Sequence, residues 1–313
     1  AMPFIERIEP IAAAGSVPGG WLNRNIVGLG LASLFSDWNH EMATAILPMF
    51  LSGVLGAPVF ALGLIEGVAS GVSALFQIWA GLYSDRIGRR KGLAAAGYFV
   101  TAVSKASFAL AGSWSQVLIG RTAGWVGRAV RSPVRDALLV ESTTPATVSR
   151  AFAFHRTLDT LGAILGPLTA TLLVAHVSLR AIFAISFIPG LCAVASIILL
   201  VKERPQRPNL SHPWRNVKAL PRDFFRFMIP VGLFGISNFA PTLLILRAQD
   251  LLMPSMGTLA ASAFSIGLYT FSNVIYALVA YPIGVLADRI DKRLILRAGF
   301  ARYALVCLAF MFV

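Results

Sequence analysis

Long apolar runs separated by short polar joints dominate this chain. A helix that rises about 1.5 Å per residue needs about 20 residues to cross a hydrocarbon core of about 30 Å. The pattern therefore predicts an all-α polytopic membrane protein with about nine transmembrane helices. The expected spans are residues 25–51, 59–84, 92–111, 114–140, 149–175, 179–201, 223–248, 258–287 and 293–313.

One long polar segment divides these spans into two groups. Residues 202–221 contain four prolines, and a proline-rich polar stretch is typical of a linker. Because only three predicted spans follow it, we expect the second helical bundle to be incomplete in this chain. The predicted regions are a cytoplasmic N-terminal segment (1–24), a six-helix bundle (25–201), a cytoplasmic linker (202–221) and a C-terminal bundle (222–313).

The composition agrees with a membrane location. Hydrophobic residues make up 57% of the chain and charged residues 13%, whereas charged residues make up about 25% of a soluble domain. A net charge of +13 would suggest nucleic-acid binding in a soluble protein, but the basic residues concentrate in alternate joints. By the positive-inside rule, these joints and the N-terminus are cytoplasmic. We therefore expect a lipid bilayer as partner and no nucleic acid.

A charged motif occurs in one joint and returns in another. Residues 81–91 read Gly-Leu-Tyr-Ser-Asp-Arg-Ile-Gly-Arg-Arg-Lys, and a related joint places Asp288 203 positions after Asp85 (288 minus 85). Two halves built on one plan are typical of secondary transporters. The motif resembles the loop between helices 2 and 3 of the major facilitator superfamily. The chain is similar to prokaryotic permeases of that superfamily that resemble drug/proton antiporters.

The resemblance implies that this joint is a conformational latch. In the family, the loop aspartate engages the N-terminus of a helix in the other half, and the contact forms in only one orientation of the two bundles. A carboxylate at a helix N-terminus is stabilising by about 0.3–1 kcal/mol when exposed. These charges also fix topology. The expected latch residues are Gly81, Asp85, Arg86, Gly88, Arg89, Arg90, Asp288 and Arg289.

Ionisable side chains within the spans are candidates for function, because a charge in hydrocarbon is unfavourable. In the first span, Asp37, His40 and Glu41 lie on one helical face. A desolvated carboxyl such as Asp37 can bind and release a proton. Alternatively, Asp37 and Glu41 are structural partners of arginines on a neighbouring helix. His40 beside Glu41 also suggests a transition-metal ligand, but no spaced second ligand is visible, so we predict no metal site.

The fourth predicted span carries Arg121, Arg128 and Arg131 on nearly one face. Guanidinium groups keep their protons, so we expect these arginines to face a wet cavity, the carboxylates of the first two spans, or a bound anion. The sequence around Arg121 resembles the helix-4 arginine motif of proton-driven members of the superfamily.

The fifth predicted span combines polar and small residues. His155 and Asp159 form a polar stripe, and we expect them to take part in proton coupling or to line the cavity. Gly162, Gly166 and Pro167 resemble the antiporter motif of the superfamily. Their spacing also predicts a close helix crossing, with or without a mechanistic role.

Glu66 in the second span completes the predicted proton-coupling and cavity residues. Weaker candidates for substrate contact are polar side chains on apolar spans, where packing is the alternative role. They are Gln77, Asn238, Tyr269, Asn273 and Tyr276.

The sequence contains no Gly-x-x-x-x-Gly-Lys-Ser/Thr loop, so we expect an ion gradient, not ATP, to drive transport. The predicted function is proton-coupled antiport that exports a small organic solute by alternating access. We expect a monomer in the inner membrane of a prokaryote, with no cofactor and no enzymatic activity. Two alternatives remain: an organic-anion or metal-chelate carrier, suggested by the arginines, and a membrane receptor or assembly partner that does not transport.

Overall fold

The computed structural model describes residues 21–144, 147–203, 222–237, 240–289 and 292–309. Within these residues the chain forms α-helices and no strand, which confirms the predicted all-α fold. The first six helices are α1 (Arg24–Met49), α2 (Val59–Ile87), α3 (Lys91–Ala106), α4 (Trp114–Glu141), α5 (Val148–Leu173) and α6 (Leu179–Leu200). The later helices are α7 (Arg222–Ser237), α8 (Pro241–Met256), α9 (Thr258–Arg289) and α10 (Lys292–Ala309). The predicted N-terminal segment and linker lie largely outside the described residues.

One predicted span differs from the structure. Residues 223–248 were expected to form a single helix, but α7 ends at Ser237 and α8 begins at Pro241 after an extended Ala240 (φ −68°, ψ 138°). Proline favours the first turn of a helix, since its missing N–H is not needed there. Helix α8 then continues to Met256, through residues that the sequence pattern placed in a joint.

Helix α1 lies at the centre of the packing, against α5 and α6, while α4 packs against α2 and α3. Apolar clusters form at both ends of this group. One includes Ile26, Tyr98 and Ile197, and the other includes Phe50 and Phe183. The polar residues of α1 lie between them, so the fold places its ionisable groups in the middle of the apolar bundle.

Side-chain contacts tie the helix ends together at two opposite faces. At one face, Asn25 donates to Ser142 Oγ at 3.0 Å and accepts from the backbone N–H of Lys202 at 2.8 Å. At the other face, Arg180 at the start of α6 donates to the carbonyl of Ala109 at 2.8 Å. Successive joints of the first six helices therefore alternate between two faces, as expected for a chain that repeatedly crosses a membrane.

Four described segments are long and apolar enough to cross a membrane by length and composition alone. The charged helices α1, α4 and α5 are not among them. Several of their charges, including Asp37, Arg121 and Arg128, are paired inside the bundle, so hydropathy understates their suitability as membrane helices. The four segments are Val59–Ser84, Lys91–Leu110, Leu179–Leu200 and Thr258–Val279.

Candidate functional site

A cavity of about 580 Å³ lies between helices of the two halves. Helices α1, α2 and α4 line it on one side, and α7, α8 and α9 line it on the other. The break between α7 and α8 borders the cavity through Gly235, Ala240 and Pro241. Its principal polar residues are His40, Glu41, Thr44, Glu66, Ser70, Arg121, Thr242 and Tyr269.

Arg121 and Glu66 form a buried ion pair at the cavity wall. Arg121 Nη2 lies 2.8 Å from Glu66 Oε1, and the two side chains are 2% and 6% exposed. Arg121 also donates to the Thr44 hydroxyl at 3.0 Å, and Thr242 donates to Glu66 Oε1 at 3.1 Å. The pair thus links α1, α2 and α4 to α8 in the second half.

Asp37 on α1 accepts hydrogen bonds from Arg128 of α4 and forms an ion pair with Arg131 of the same helix. Arg128 Nη1 and Nη2 lie 3.1 and 3.4 Å from its two carboxylate oxygens, and Arg131 Nη2 lies 3.5 Å away. Arg131 also stacks on Tyr98, with its guanidinium carbon 4.3 Å from the ring centroid. These arginines therefore lie against the carboxylates of the first two helices, one of the environments predicted for them.

Asp159 on α5 lies beside this pair. Ser33 donates to Asp159 Oδ1 at 2.6 Å, and Arg156 donates to Oδ2 at 3.3 Å. Ser33 is one helical turn from Asp37, and the two carboxyl groups interact with each other. His155 on the same helix is buried, and its Nε2 has no hydrogen-bond partner among the described residues.

Two glycines bring α5 against α1. A Cβ at Gly166 would lie 2.7 Å from the backbone nitrogen of Met42, and one at Gly162 would lie 3.0 Å from that of Trp38. Only glycine permits this approach without a shift of the backbone. The crossing positions Asp159 near Asp37. Pro167, which follows Gly166, is buried in α5.

Glu41 and His40 bring further ionisable groups to the cavity. The Tyr269 hydroxyl of α9 donates to Glu41 Oε2 at 2.7 Å, while Glu41 forms no ion pair with another described residue. The His40 ring lies edge-on to Trp125 with centroids 5.4 Å apart, and its Nδ1 lacks a hydrogen-bond partner in the described part of the chain. In the same described ranges, no group of three or more His, Cys, Asp and Glu residues is placed to hold a metal.

The remaining residues predicted to contact substrate do not share one location. Asn273 donates to the carbonyl of Ala163 at 3.0 Å, which joins α9 to α5. Gln77 is exposed and Tyr276 is 60% exposed, and the cavity lining includes neither of them. Asn238 lies outside the described residues.

The charged joint between α2 and α3 is anchored by an unpredicted acid. Glu203, just after α6, accepts from the backbone N–H groups of Arg90 and of Lys91, the latter at 3.0 Å. Arg90 also pairs with Glu141 at the end of α4. Gly88 ends α2 with a φ of +60°, a conformation that favours glycine.

The other predicted latch residues are less informative. Arg86 and Arg89 are exposed, and a Cβ at Gly81 would meet nothing within 4 Å. The side chains of Asp85, Asp288 and Arg289 lie outside the described set. The direction of α9 follows from its contacts. Tyr269 contacts Glu41 in the second half of α1, and Asn273, one turn further along α9, contacts Ala163, which lies beside the Gly162 that packs against Trp38 of α1. Helix α9 therefore runs towards the start of α1 and the end of α2, and it ends there at Arg289.

Sequence comparison places these features in a family. The sequence profile described as Major Facilitator Superfamily matches residues 29–313. The chain belongs to the major facilitator superfamily. It is a multi-pass membrane protein of a family whose members carry small-molecule substrates, often with protons. The members of this superfamily are generally not enzymes.

Several relatives within the superfamily cover most of the chain. It is 31% identical to an uncharacterised MFS-type transporter of Methanocaldococcus jannaschii over 93% of this chain and 73% of that protein. It is 26% identical to the multidrug resistance protein MdtG of Escherichia fergusonii over 92% of this chain and 72% of that protein. The chain therefore spans about three quarters of these relatives.

Solved structures show the same fold. A bacterial homologue of the human lysosomal transporter Spinster, inward-facing and occupied, matches with a TM-score of 0.68 at 17% identity, over 86% of this chain and 62% of that one. A D-xylose–proton symporter matches with a TM-score of 0.63 at 17% identity, over 85% of this chain and 69% of that one.

Proposed function

We propose that this chain belongs to a proton-coupled antiporter that exports small organic solutes across the inner membrane of a prokaryote. The N-terminus is cytoplasmic, and the two halves rock around the shared cavity. The observation that carries the proposal is the set of Asp37, which is buried, and Asp159 and Arg128, which are partly buried beside it. Membership of the superfamily and the multidrug resistance protein among the relatives support transport itself.

The carboxyl pair supplies the proton site. Two neighbouring carboxyl groups are stabilised when they share one proton, because two nearby negative charges repel each other. Asp37 binds Arg128 and Arg131, and Asp159 binds Ser33 across the α1–α5 crossing. A change in that crossing alters how well the arginines compensate the second charge, and so couples proton release to helix movement.

The cavity charges favour solutes with a cationic group. The guanidinium of Arg121 is engaged by Glu66, and those of Arg128 and Arg131 are engaged by Asp37. Glu41 projects a carboxylate into the cavity and receives one hydrogen bond, from Tyr269. Of these arginines the cavity lining includes Arg121, so an anionic solute there would have to displace Glu66, and the geometry favours a cation over the organic-anion alternative.

The charged joint serves as the latch that stabilises one orientation. Glu203 and Glu141 hold Arg90 against the ends of α6 and α4. The joint is thus fixed to the first bundle, and in the proposed latch Asp85, Arg86 and Arg89 act on the second. Gly81 and Gly88, with Asp288 and Arg289 in the related joint, complete the proposed device.

The coupling residues are tested in the complete protein, reconstituted into liposomes with tetraphenylphosphonium as a cationic probe. We expect Asp37→Asn and Asp159→Asn to lower flux driven by a pH gradient at least tenfold, because the amide cannot exchange a proton. Asp136→Asn is the matched control: Asp136 also lies beside an arginine, but its side chain is 44% exposed. Unchanged dependence on the gradient in both Asp37→Asn and Asp159→Asn would contradict the assignment.

Two further measurements separate the alternatives. Benzoate as probe tests the organic-anion carrier, for which benzoate flux would exceed that of tetraphenylphosphonium. Absence of flux for either probe, in protein that is folded by circular dichroism, would favour a receptor or assembly role.

A further inference from the structure

Lys105 is a buried amine that the mechanism above does not use. It lies in the last turn of α3 and is 0% exposed. Its Nζ has no hydrogen-bond partner among the residues that the structure describes. The amine lies 5.6 Å from the centroid of the Phe108 ring. A lysine this deep normally extends its ammonium towards a membrane surface, but this one remains inside the bundle.

Helix α4 provides the space for this side chain. A Cβ at Gly124 would lie 3.5 Å from Lys105 Nζ and 3.2 Å from Ser104 Cβ. The absent side chain at Gly124 leaves a groove between α3 and α4. Lys105 fills that groove, so its position is determined by packing.

Charged groups surround the amine without pairing with it. The groups that act on it are Arg121 and Arg128 of α4, Glu66 of α2 and Glu41 of α1. Both acids are engaged elsewhere, since Glu66 binds Arg121 and Thr242, and Glu41 binds Tyr269. From α6, which also packs against α3, the charged residue is Arg180, bound to the carbonyl of Ala109.

His40 connects Lys105 to the cavity. It lines the cavity, is 4% exposed and lies edge-on to Trp125, the neighbour of the Gly124 that borders Lys105 Nζ. Arg121, Arg128 and Arg131 also act on His40. Since His40 Nδ1 has no hydrogen-bond partner within the described ranges, one imidazole nitrogen is open for proton exchange between the cavity and the interior of the bundle.

We propose that Lys105 is a second proton-binding residue of the transport cycle, vacant in this conformation and occupied when Glu66 loses its bond from Thr242. This inference rests on the proposed proton coupling. An ammonium buried without an anion or acceptor is strongly unfavourable, so the amine is neutral here. Movement of α8 away from α2 breaks the bond from Thr242 and frees an acceptor position on Glu66 for Lys105, while Arg121 keeps its ion pair with Glu66. A proton from cavity water then adds to the amine nitrogen through His40, and it leaves by the same route when Thr242 returns to Glu66.

The test compares two kinds of flux in the complete protein, with tetraphenylphosphonium as probe. Lys105→Met removes the proton site but keeps the length and the apolar stem of the side chain. We expect flux driven by a pH gradient to fall at least tenfold, while counterflow at equal pH stays within twofold of wild type. Lys202→Met, at an exposed joint, is the matched control and should change neither flux more than twofold. A merely structural lysine would lower both fluxes together.

Gradient-driven flux within twofold of wild type in Lys105→Met overturns the inference. If both fluxes fall in Lys105→Met, the Lys105→Gln variant is measured in the same way. Counterflow that is retained while gradient-driven flux is lost supports the proton site, and loss of both fluxes overturns it. If the wild type shows counterflow but no gradient-driven flux, the proposed proton coupling is wrong, and the inference falls with it.

Discussion

At the scale of residues, Arg121 and Arg128 of α4 are compensated by carboxylates on two other helices. Arg121 uses Glu66 of α2, and Arg128 uses Asp37 of α1. An ion pair of this kind contributes little net stability, since desolvation opposes the attraction. Removal of one partner is far more damaging, because the other charge then stays buried and unpaired.

A double-mutant cycle tests this compensation. We expect Glu66→Leu to lower the free energy of unfolding by about 3–5 kcal/mol, because Arg121 would be left without its carboxylate. Addition of Arg121→Leu should restore most of that loss. Thermal unfolding of the purified protein in detergent measures both. A double variant less stable than either single variant would show that the two residues stabilise the fold independently.

The sequence identified the buried charged residues, but not which of them pair with each other. Asp37, Glu66 and the arginines were found because charges are rare in apolar spans, but pairing depends on how helices rotate against each other, which periodicity alone does not specify. The same rule applies to Lys105, a single lysine within an apolar run, but it was overlooked because it shares no stripe with other charges. Glu203 lies in the polar segment after α6, where an acid is ordinary, so nothing in the sequence marked it.

At the scale of elements, the α1–α5 crossing controls the position of the carboxyl pair. Gly162 and Gly166 place the backbone of α5 directly against α1. The spacing of the two glycines predicted a close helix contact, and the structure identifies α1 as the helix that α5 contacts. By contrast, the break between α7 and α8 was missed, since Pro241 lies within an otherwise continuous apolar run and a proline is compatible with a kinked membrane helix.

Substitution of one glycine tests this crossing. We expect Gly162→Ala to lower the free energy of unfolding by about 1–3 kcal/mol, because the added methyl overlaps the backbone of α1. Gly71→Ala on α2 is the control, since a Cβ there meets nothing within 4 Å, and it should be neutral or raise stability by up to about 1 kcal/mol. Thermal unfolding compares the two. Equal effects of both substitutions would exclude a specific role for the crossing.

At the scale of the whole molecule, polar contacts reach between the two halves at the cavity. Thr242 binds Glu66, and Tyr269 binds Glu41. These bonds join the second half to α2 and to α1, and α1 carries both Asp37 of the proposed proton site and Glu41 of the proposed solute site. Movement of one half relative to the other therefore directly changes the surroundings of the Glu66 and Glu41 carboxylates. The all-α fold and the superfamily were accessible from the sequence, while the proton and solute roles remain proposals.

The central claim is that protons and solute cross in opposite directions through this one cavity. The most direct test records both at once in liposomes that contain the complete protein, with tetraphenylphosphonium as the solute and a pH-sensitive dye in the lumen. The account predicts that an outward solute flux is accompanied by acidification of the lumen, and that both signals disappear in Asp37→Asn. Solute flux with no change in luminal pH would contradict it.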